Sequence, residues 1–369
     1  MHSTVRAQID LSALRHNLKI VRELCPHSRI MAMVKADAYG HGLLPCANAL
    51  DGADGFAVAR LHEALTLRNA GVHQRILLLA TLIDASDLAL CSERQIDVTA
   101  HDSISVEAIA AQAEKTPLRV WLELDSGMHR VGLTPGAFVE ADQVLGACRG
   151  VSELVHMTHF SSADHVAPTV TSRQLACFGE SHRADSGSKV SLANSAALIS
   201  RTETHADWVR PGIMLYGVHP FGARQPLTLI PAMTLKANII AIREVQAGEC
   251  VGYNGRWLSH RRSRIATVGA GYGDGYPRHA ANGTPVLVRG MQVPLVGQVS
   301  MDSLAIDITD TKDIRVGDEV VLWGAGLPAA TIAEFSSTIA YELFTSVQQR
   351  VIREYIGKHA SIWSGAGSF

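Results

Sequence analysis

The sequence carries little charge and no excess of either sign. Charged residues make up 18% of the 369 residues, and 33 lysines and arginines are balanced by 35 aspartates and glutamates. A chain without a strong net charge has no field that attracts nucleic acid or an anionic membrane. We therefore expect neither of those partners and favour a small molecule as the ligand.

Cysteine occurs without any pattern that a disulfide framework or a metal site would require. The six residues form no C-x-x-C pair and no metal-like group, so neither kind of site is predicted. They are Cys25, Cys46, Cys91, Cys148, Cys177 and Cys250. Because they lie in apolar stretches, we expect buried, reduced thiols in a cytosolic protein.

Long hydrophobic and low-complexity segments are absent as well. No stretch of about 18 apolar residues runs uninterrupted, so no membrane span is predicted. The first residues, Met1-His-Ser-Thr-Val-Arg-Ala, lack the basic segment and apolar core of a secretion signal, and we expect a cytoplasmic protein. At 47% apolar residues the chain can bury a sizeable core. Its length exceeds the roughly 250–300 residues at which one core stops growing, so two domains are expected.

What the sequence does contain is an alternation of short apolar runs with segments of helical periodicity. The runs are Ile30 to Val34, Gly55 to Arg60, Arg75 to Ala80, Asp97 to His101, Arg119 to Asp125, Leu154 to Phe160, Lys189 to Ser195 and Trp208 to Tyr216. Apolar strands followed by helices are typical of a parallel sheet covered on its faces. Eight such units predict a (β/α)8 TIM-type barrel, with a doubly wound open sheet as the alternative.

The sequence pattern changes after about residue 230, where short predicted strands alternate with turns that contain Gly, Asn and Asp. The predicted strands are Met233 to Arg243, Arg264 to Gly269, Thr284 to Arg289, Gln292 to Val299, Leu304 to Ile308 and Glu319 to Trp323. We therefore predict an α/β fold with a barrel over residues 1–230 and a mainly β domain over residues 231–369. The first few residues of the chain are expected to pair with the β domain.

Catalytic groups of such barrels come from the C-terminal ends of the strands. The first predicted strand ends in Val34-Lys-Ala-Asp-Ala-Tyr-Gly-His-Gly, which places Lys35 at the barrel mouth. Further blocks follow in order: Leu124-Asp-Ser-Gly-Met-His-Arg-Val-Gly, Met157-Thr-His-Phe-Ser-Ser-Ala-Asp, Ala193-Asn-Ser-Ala-Ala, Val209-Arg-Pro-Gly-Ile-Met-Leu-Tyr-Gly, Val251-Gly-Tyr-Asn-Gly, Gly271-Tyr-Gly-Asp-Gly-Tyr-Pro-Arg and Gly297-Gln-Val-Ser-Met-Asp. Together these blocks resemble alanine racemases, which are pyridoxal-phosphate (PLP) enzymes of fold type III.

The resemblance implies a set of cofactor-binding residues. Lys35 carries PLP covalently in the family, and His159 lies against the cofactor ring. Tyr39, Ser195 and Gly212 correspond to the residues that hold the phosphate, and the barrel rule also places an anion site after strands seven and eight. As alternatives, Ser195 would only cap a helix and His159 would only pack in the core.

Two arginines complete the implied barrel site. Arg210 corresponds to the residue at the pyridine nitrogen, where a guanidinium cannot act as an acid near neutral pH. A structural ion pair is the alternative for this residue. Arg130 corresponds to the arginine that reaches the cofactor phenolic oxygen and the substrate carboxylate.

Racemisation requires two proton acceptors on opposite faces of the reacting carbon. The resemblance assigns these roles to Lys35 and to Tyr253 of the partner subunit in a homodimer. Tyr272 and Met301 correspond to residues that narrow the substrate entrance and contact the carboxylate. Asp274 and Asp302 lack accompanying His or carboxylate ligands, so no metal is predicted.

Two features depart from the family pattern. Glu123 stands where the family usually has a lysine whose carbamate holds the arginine at position 130, and our hypothesis is that Glu123 acts as a permanent anion that positions Arg130. The alternative is that this substitution weakens the enzyme and that Glu123 takes over no part of the lysine's role. In the C-terminal block, Gln349 replaces a phosphate-binding tyrosine of some members, and Ile352 stands where proline is common.

The resemblance therefore predicts PLP-dependent interconversion of L- and D-alanine, which serves either peptidoglycan synthesis or D-alanine catabolism. A racemase of serine or other small amino acids stays open, because the sequence does not give pocket dimensions. A non-catalytic PLP carrier would end near the barrel, unlike this chain. An amino-acid decarboxylase of the same fold type would need an acidic partner at the ring nitrogen, where Arg210 stands.

Overall fold

The structure is a computed structural model, and it describes residues 5–79, 84–164, 169–182, 187–222 and 227–358. Its strands, in chain order, are β1 (Arg6–Asp10), β2 (Arg29–Met33), β3 (Gly55–Val58), β4 (Arg75–Leu78), β5 (Ile96–Ala100), β6 (Leu118–Leu124), β7 (Val151–Thr158), β8 (Lys189–Asn194), β9 (Trp208–Arg210), β10 (Met233–Val245), β11 (Cys250–Val251), β12 (Trp257–Leu258), β13 (Ser263–Val268), β14 (Pro285–Val288), β15 (Met291–Val296), β16 (Leu304–Asp307), β17 (Glu319–Trp323) and β18 (Ile352–Ile356).

The α-helices are α1 (Leu11–Leu24), α2 (Lys35–Gly40), α3 (Leu43–Ala49), α4 (Leu61–Asn69), α5 (Ala85–Glu93), α6 (Ser103–Ala113), α7 (Pro135–Ala147), α8 (Thr169–Ser181), α9 (Ser195–Ser200), α10 (Ala329–Phe335) and α11 (Ala340–Thr345). No helix in the described ranges is both long and apolar enough to cross a membrane.

Strands β2 to β9 form a closed barrel in which every strand is parallel to its neighbours, and β9 pairs back onto β2 through Arg29 and Trp208. Strands β3 and β5 are buried at every position. Continuous burial explains why these segments are mostly apolar, because both faces of a parallel barrel strand are covered. The buried Asp97 on β5 is paired with Arg75 and Arg119. The predicted TIM-type barrel is confirmed, and the open-sheet alternative is wrong.

All eight predicted barrel strands are present with shifted ends. The largest difference is in the eighth, where the strand stops at Arg210 and a 3-10 helix covers Ile213–Tyr216. Pro211 and Gly212 interrupt the apolar run, and proline cannot donate the next ladder hydrogen bond. Ala80, the predicted end of the third run, lies outside the described residues.

The remaining strands build a mainly β part, as predicted. Its eight-stranded sheet has the order β13-β16-β15-β14-β17-β10-β1-β18, with β13 also paired to β10, and β11 and β12 form a separate ribbon. Strand β1 lies antiparallel to β10 and parallel to β18. The start of the described chain therefore pairs within the β sheet.

The chain divides into two compact units. The barrel unit contains Asn17–Ala38 and Cys46–Leu215, and the β unit contains the described residues within Met1–His16, Tyr39–Pro45 and Tyr216–Phe369. This division differs from a single boundary at residue 230, because β1 and a short segment after Lys35 are grouped with the later part of the chain.

None of the six cysteines, all of which lie in the described ranges, forms a disulfide. Cys25, Cys46 and Cys91 are buried as expected, whereas Cys148 and Cys177 are half-buried. The expectation of burial is wrong for Cys250, which is exposed. It lies on β11, a strand of only two residues that pairs with β12 alone and is too short to contribute a buried face.

Candidate active site

Lys35 is the first residue of α2, a short left-handed turn that follows the first barrel strand. Ala36, Asp37, Ala38 and Tyr39 all have φ between 52° and 54°, so consecutive L-residues follow a left-handed helical path. This conformation costs roughly 1–2 kcal/mol per residue. Strain of that size persists only where the surroundings fix it, and it is concentrated at functional sites.

The Lys35 amine is half-buried and interacts electrostatically with one arginine and two carboxylates. Burial is the main cause that lowers its pKa, and the Arg130 guanidinium lowers it further, against the opposing effects of Glu63 and Glu123. A lowered pKa increases the fraction of neutral amine near pH 7. Lys35 is therefore suited to remove a proton or to attack a carbonyl.

Arg210, at the end of β9, is buried and held by three hydrogen bonds. Its Nη1 atom donates to the Ser191 carbonyl oxygen at 2.8 Å and to Ser191 Oγ at 2.7 Å, and its Nη2 atom donates to the Thr158 carbonyl oxygen at 2.5 Å. Burial lowers its pKa to about 10, partly offset by Glu123. The side chain thus remains a cation near neutral pH, and it is oriented by hydrogen bonds, without a direct ion pair among the described residues.

His159 follows β7 and is half-buried. Burial lowers the pKa of its imidazole to about 3, with further lowering by Arg210, Arg130 and Lys35. The ring is therefore neutral across the physiological range. A neutral ring can pack against a flat aromatic group but does not supply a proton.

Ser195 lies at the start of α9, next to the residue that caps the helix. Asn194 is the cap, since its side chain accepts hydrogen bonds from the backbone N–H groups of Ala196 and Ala197. The Ser195 hydroxyl instead accepts a bond from the Gly212 N–H at 2.8 Å. The capping alternative for Ser195 is wrong, and the two predicted phosphate residues are in contact with each other.

Arg130 is exposed and lies in a turn that Asp125 organises. Asp125 Oδ1 accepts bonds from the backbone N–H groups of Gly127, Met128 and His129 at 2.9, 3.0 and 3.0 Å. Burial opposes ionisation of Asp125, but the hydrogen bonds from His129 and Gly127 together lower its pKa. The carboxylate therefore stays ionised and fixes the turn.

Glu123 is buried, with 7% of its surface exposed. Burial raises the pKa of its carboxyl group, against the lowering effects of Arg210, Arg130 and His101. Among the described residues it makes no ion pair within 4.0 Å. The carboxyl group thus interacts with both arginines at longer range, and more strongly with Arg210 than with Arg130.

Three predicted site residues of the β unit expose large side chains. Tyr253 is 66% exposed, Met301 54% and Tyr272 37%. Tyr272 and Met301 lie on turns joined by Arg350, which contacts Asp274 at 2.8 Å and Asp302 at 2.7 Å. The aspartates that suggested a metal are thus paired with an arginine. The described part of the chain contains no group of three or more potential metal ligands.

Tyr39 is buried in the β unit, where its ring stacks on Tyr216 at 4.7 Å and faces Tyr341 at 5.8 Å. Burial raises the pKa of its hydroxyl, so the group is a neutral hydrogen-bond donor. Gln349 is exposed. Ile352 is the first residue of β18 and pairs with Arg6, a position at which proline would also be tolerated.

Three residues near the predicted site were not singled out from the sequence: Glu63, Asp125 and Arg350. Glu63 has a local signal, because it is the third residue of α4 and part of a capping box. Asp125 lies at a strand end before a glycine turn. Nothing in a single sequence indicates that Arg350 pairs with Asp302 and Asp274, which lie 48 and 76 positions earlier in the chain.

Comparison with known proteins gives a consistent result. Residues 9–220 match the family model described as alanine racemase, N-terminal domain, and residues 232–355 match alanine racemase, C-terminal domain. The chain is 47% identical to a catabolic alanine racemase of Pseudomonas putida, over 96% of this chain and 99% of the relative.

Solved structures give the same answer. The crystal structure of a biosynthetic alanine racemase from Pseudomonas aeruginosa is 44% identical, with a TM-score of 0.92 over 96% of this chain and 100% of the other. An alanine racemase from Bartonella henselae with covalently bound pyridoxal phosphate is 29% identical, with a TM-score of 0.88 over 96% and 100% of the two chains.

Proposed function

The chain belongs to the alanine racemase family and is an isomerase that interconverts L- and D-alanine, and we propose that it uses PLP with Lys35 and Tyr253 as its two bases. The main support is the strained turn that presents Lys35 in the same unit as Arg210 and His159. The Bartonella henselae relative carries its cofactor covalently, which supports the same linkage here.

The residues present fit the cofactor. Lys35 would hold PLP covalently, since burial and the neighbouring Arg130 lower the pKa of its amine. The Ser195 hydroxyl and the Gly212 N–H, with Tyr39, would hold the phosphate. His159 would lie against the ring as a neutral imidazole, and Arg210 would face the ring nitrogen. When bound, PLP withdraws electrons from the substrate and makes its α-proton removable.

The chain's own residues then move the proton. Lys35 Nζ takes or returns the α-proton on one face, and Tyr253 Oη of the partner subunit does so on the other. Arg210 does not donate a proton to the ring nitrogen near neutral pH. Electron withdrawal from the reacting carbon would therefore stay weak. His159 is neutral and supplies no competing acid. The proton therefore returns to the α-carbon, which is racemisation.

Alanine is the substrate that the family indicates, and Arg130 would bind its carboxylate with a planar pair of N–H donors. Tyr272 and Met301 would narrow the entrance and penalise longer side chains. A racemase of serine is the second candidate, and rates of D-amino-acid formation from a panel of L-amino acids separate the two. Both D-alanine supply for peptidoglycan and D-alanine catabolism fit the reaction.

Two experiments test the assignment of the bases. Borohydride reduction and peptide mapping should label Lys35, and a label on any other lysine would contradict the covalent role. The homodimer is tested by mixing inactive Lys35→Ala and Tyr253→Phe subunits. One hybrid site regains both bases, so activity should recover. Absence of recovery after verified subunit exchange would show that each site is completed within one chain.

A further inference from the structure

We propose that Glu63 is a positioning residue for Lys35: its buried carboxylate fixes the left-handed turn after the lysine and provides negative charge to the amine. This inference rests on the proposed role of Lys35. Glu63 lies on α4, after the second barrel strand, whereas Lys35 follows the first. The carboxylate thus links two neighbouring strand ends of the barrel unit.

The hydrogen bonds of Glu63 carry the argument. Its Oε2 atom accepts from the backbone N–H groups of Ala59 and Arg60, both at 3.0 Å. Its Oε1 atom accepts from the backbone N–H of Asp37 at 3.4 Å, in the middle of the left-handed turn. One carboxylate, only 6% exposed, therefore ties the start of α4 to the segment that carries the lysine.

The turn requires such support. Ala36, Asp37 and Ala38 all have positive φ angles, a conformation that strains the backbone of L-residues. Within the turn, the Ala38 N–H bonds the Val34 carbonyl oxygen at 2.9 Å. A hydrogen bond to a charged acceptor is stronger than one to a neutral acceptor, so the bond from Asp37 to Glu63 offsets part of the strain.

The charge of Glu63 also acts on Lys35. Burial and the Arg130 guanidinium lower the pKa of the amine, and Lys35 in turn lowers the pKa of His159. Two carboxylates, Glu63 and Glu123, oppose the lowering of the Lys35 pKa. Glu63 thus keeps the pKa of the Lys35 amine from falling further. Loss of its charge would leave the amine neutral over a wider pH range.

A helix cap alone would explain two of the three hydrogen bonds, because glutamate at the third position of a helix commonly bonds the residues before it. It would not explain the bond to Asp37. A pure capping role predicts lower stability in a Glu63 variant with no change at Lys35. A positioning role predicts changes in both.

The test separates charge from geometry with two substitutions in the full-length protein. Glu63→Gln keeps the shape and removes the charge, whereas Glu63→Asp keeps the charge and shortens the reach. The first readout is the pH midpoint for acetylation of Lys35 by acetic anhydride after cofactor removal, followed by mass spectrometry. The second is the split between kcat and KM of the loaded enzyme. Asp84→Asn, which removes a carboxylate cap from α5, is the matched control.

Glu63→Gln should lower the acetylation midpoint of Lys35 by on the order of one pH unit. It should lower kcat by about 10- to 100-fold with little change in KM, because a displaced base loses orientation. Glu63→Asp should keep the midpoint and lose kcat. Asp84→Asn should affect neither.

An unchanged midpoint or an unchanged kcat in Glu63→Gln overturns the proposal, as does a loss of thermal stability alone. If that variant does not fold, wild-type kcat in Glu63→Asp overturns it. The acetylation midpoint requires no catalysis, so it tests Glu63 even if borohydride labelling assigns the cofactor to another lysine.

Discussion

Replacing Glu123 by glutamine should weaken catalysis by removing a buried negative charge beside two arginines. Arg210 is the stronger partner because it is fully buried, whereas Arg130 is exposed and its interaction is screened by water. No ion pair within 4.0 Å joins Glu123 to either of these described residues. The attraction of each pair is therefore below about 4 kcal/mol at an effective dielectric constant of about 20.

The cost of burying the carboxylate offsets part of this attraction, and the net loss should be about 1–3 kcal/mol. That corresponds to a roughly 5- to 150-fold decrease in kcat/KM. We expect much of it as a higher KM for alanine, because Arg130 would bind the substrate carboxylate. Since the charge of Glu123 needs no carbamylation, activity should not depend on dissolved carbon dioxide.

The pH dependence of activity tests the role of the Glu123 charge independently. Burial raises the pKa of Glu123 above its usual value of 4.5, so its charge is lost as the pH falls through the raised pKa. The ratio of wild-type to Glu123→Gln activity should therefore be largest above that pKa and approach one below it. Activity is measured by coupling D-alanine formation to a D-amino-acid oxidase.

Glu153→Gln is the matched control, because it removes a barrel carboxylate that pairs with Arg75 at 2.6 Å and with none of the proposed site residues. It should change stability and leave kcat/KM near the wild-type value. If kcat/KM and its pH profile are the same in Glu123→Gln as in the wild type, Glu123 has no part in holding the arginines.

Two further predictions concern stability and the substrate entrance. The pKa of His159 is about 3 in the folded chain and near 6.5 when unfolded, so the neutral ring destabilises the fold as the pH falls below 6.5, by about 2 kcal/mol at pH 5. In urea denaturation, the free energy of unfolding of His159→Gln should therefore decrease less in acid than that of the wild type, and an equal decrease would contradict the low pKa. In Arg350→Lys the side chain has no planar group to bridge Asp274 and Asp302, so KM for alanine should rise about 3- to 10-fold with a smaller change in kcat. Unchanged steady-state kinetics would show that the turns carrying Tyr272 and Met301 need no such bridge.

The sequence predicts the barrel well because its strands are buried on both faces. Runs such as Gly55–Val58 and Ile96–Ala100 contain little but apolar and β-branched residues, and helical periodicity separates them. The prediction is less accurate where the run contains Pro211, since apolarity continues through Tyr216 while the strand ends at Arg210. A hydrophobic pattern indicates which residues are buried. It does not indicate which backbone groups can continue the hydrogen bonds between neighbouring strands.

Local chemistry at the site is harder to predict. Asn194 and Ser195 are both good helix caps, and only the backbone decides that Asn194 takes that role while Ser195 bonds Gly212. The left-handed path after Lys35 is formed by alanine, aspartate and tyrosine, residues that do not favour it. Contacts distant in sequence impose that path, so local propensity gives no sign of it.

Burial and charge together determine the protonation of Lys35 and His159 in the barrel unit. Three basic and two acidic side chains interact there electrostatically: Lys35, Arg130, Arg210, Glu63 and Glu123. Burial is the main cause that lowers the pKa of Lys35 and of His159, and Arg130 lowers both further. With all five ionised, three cations and two anions leave one excess positive charge at the site. The same excess attracts a phosphate or a substrate carboxylate, so a bound anion would partly restore the pKa of the amine. Each carboxylate therefore tunes Lys35 against the arginines, which is why Glu63 and Glu123 should be measured separately and then together in a double-mutant cycle.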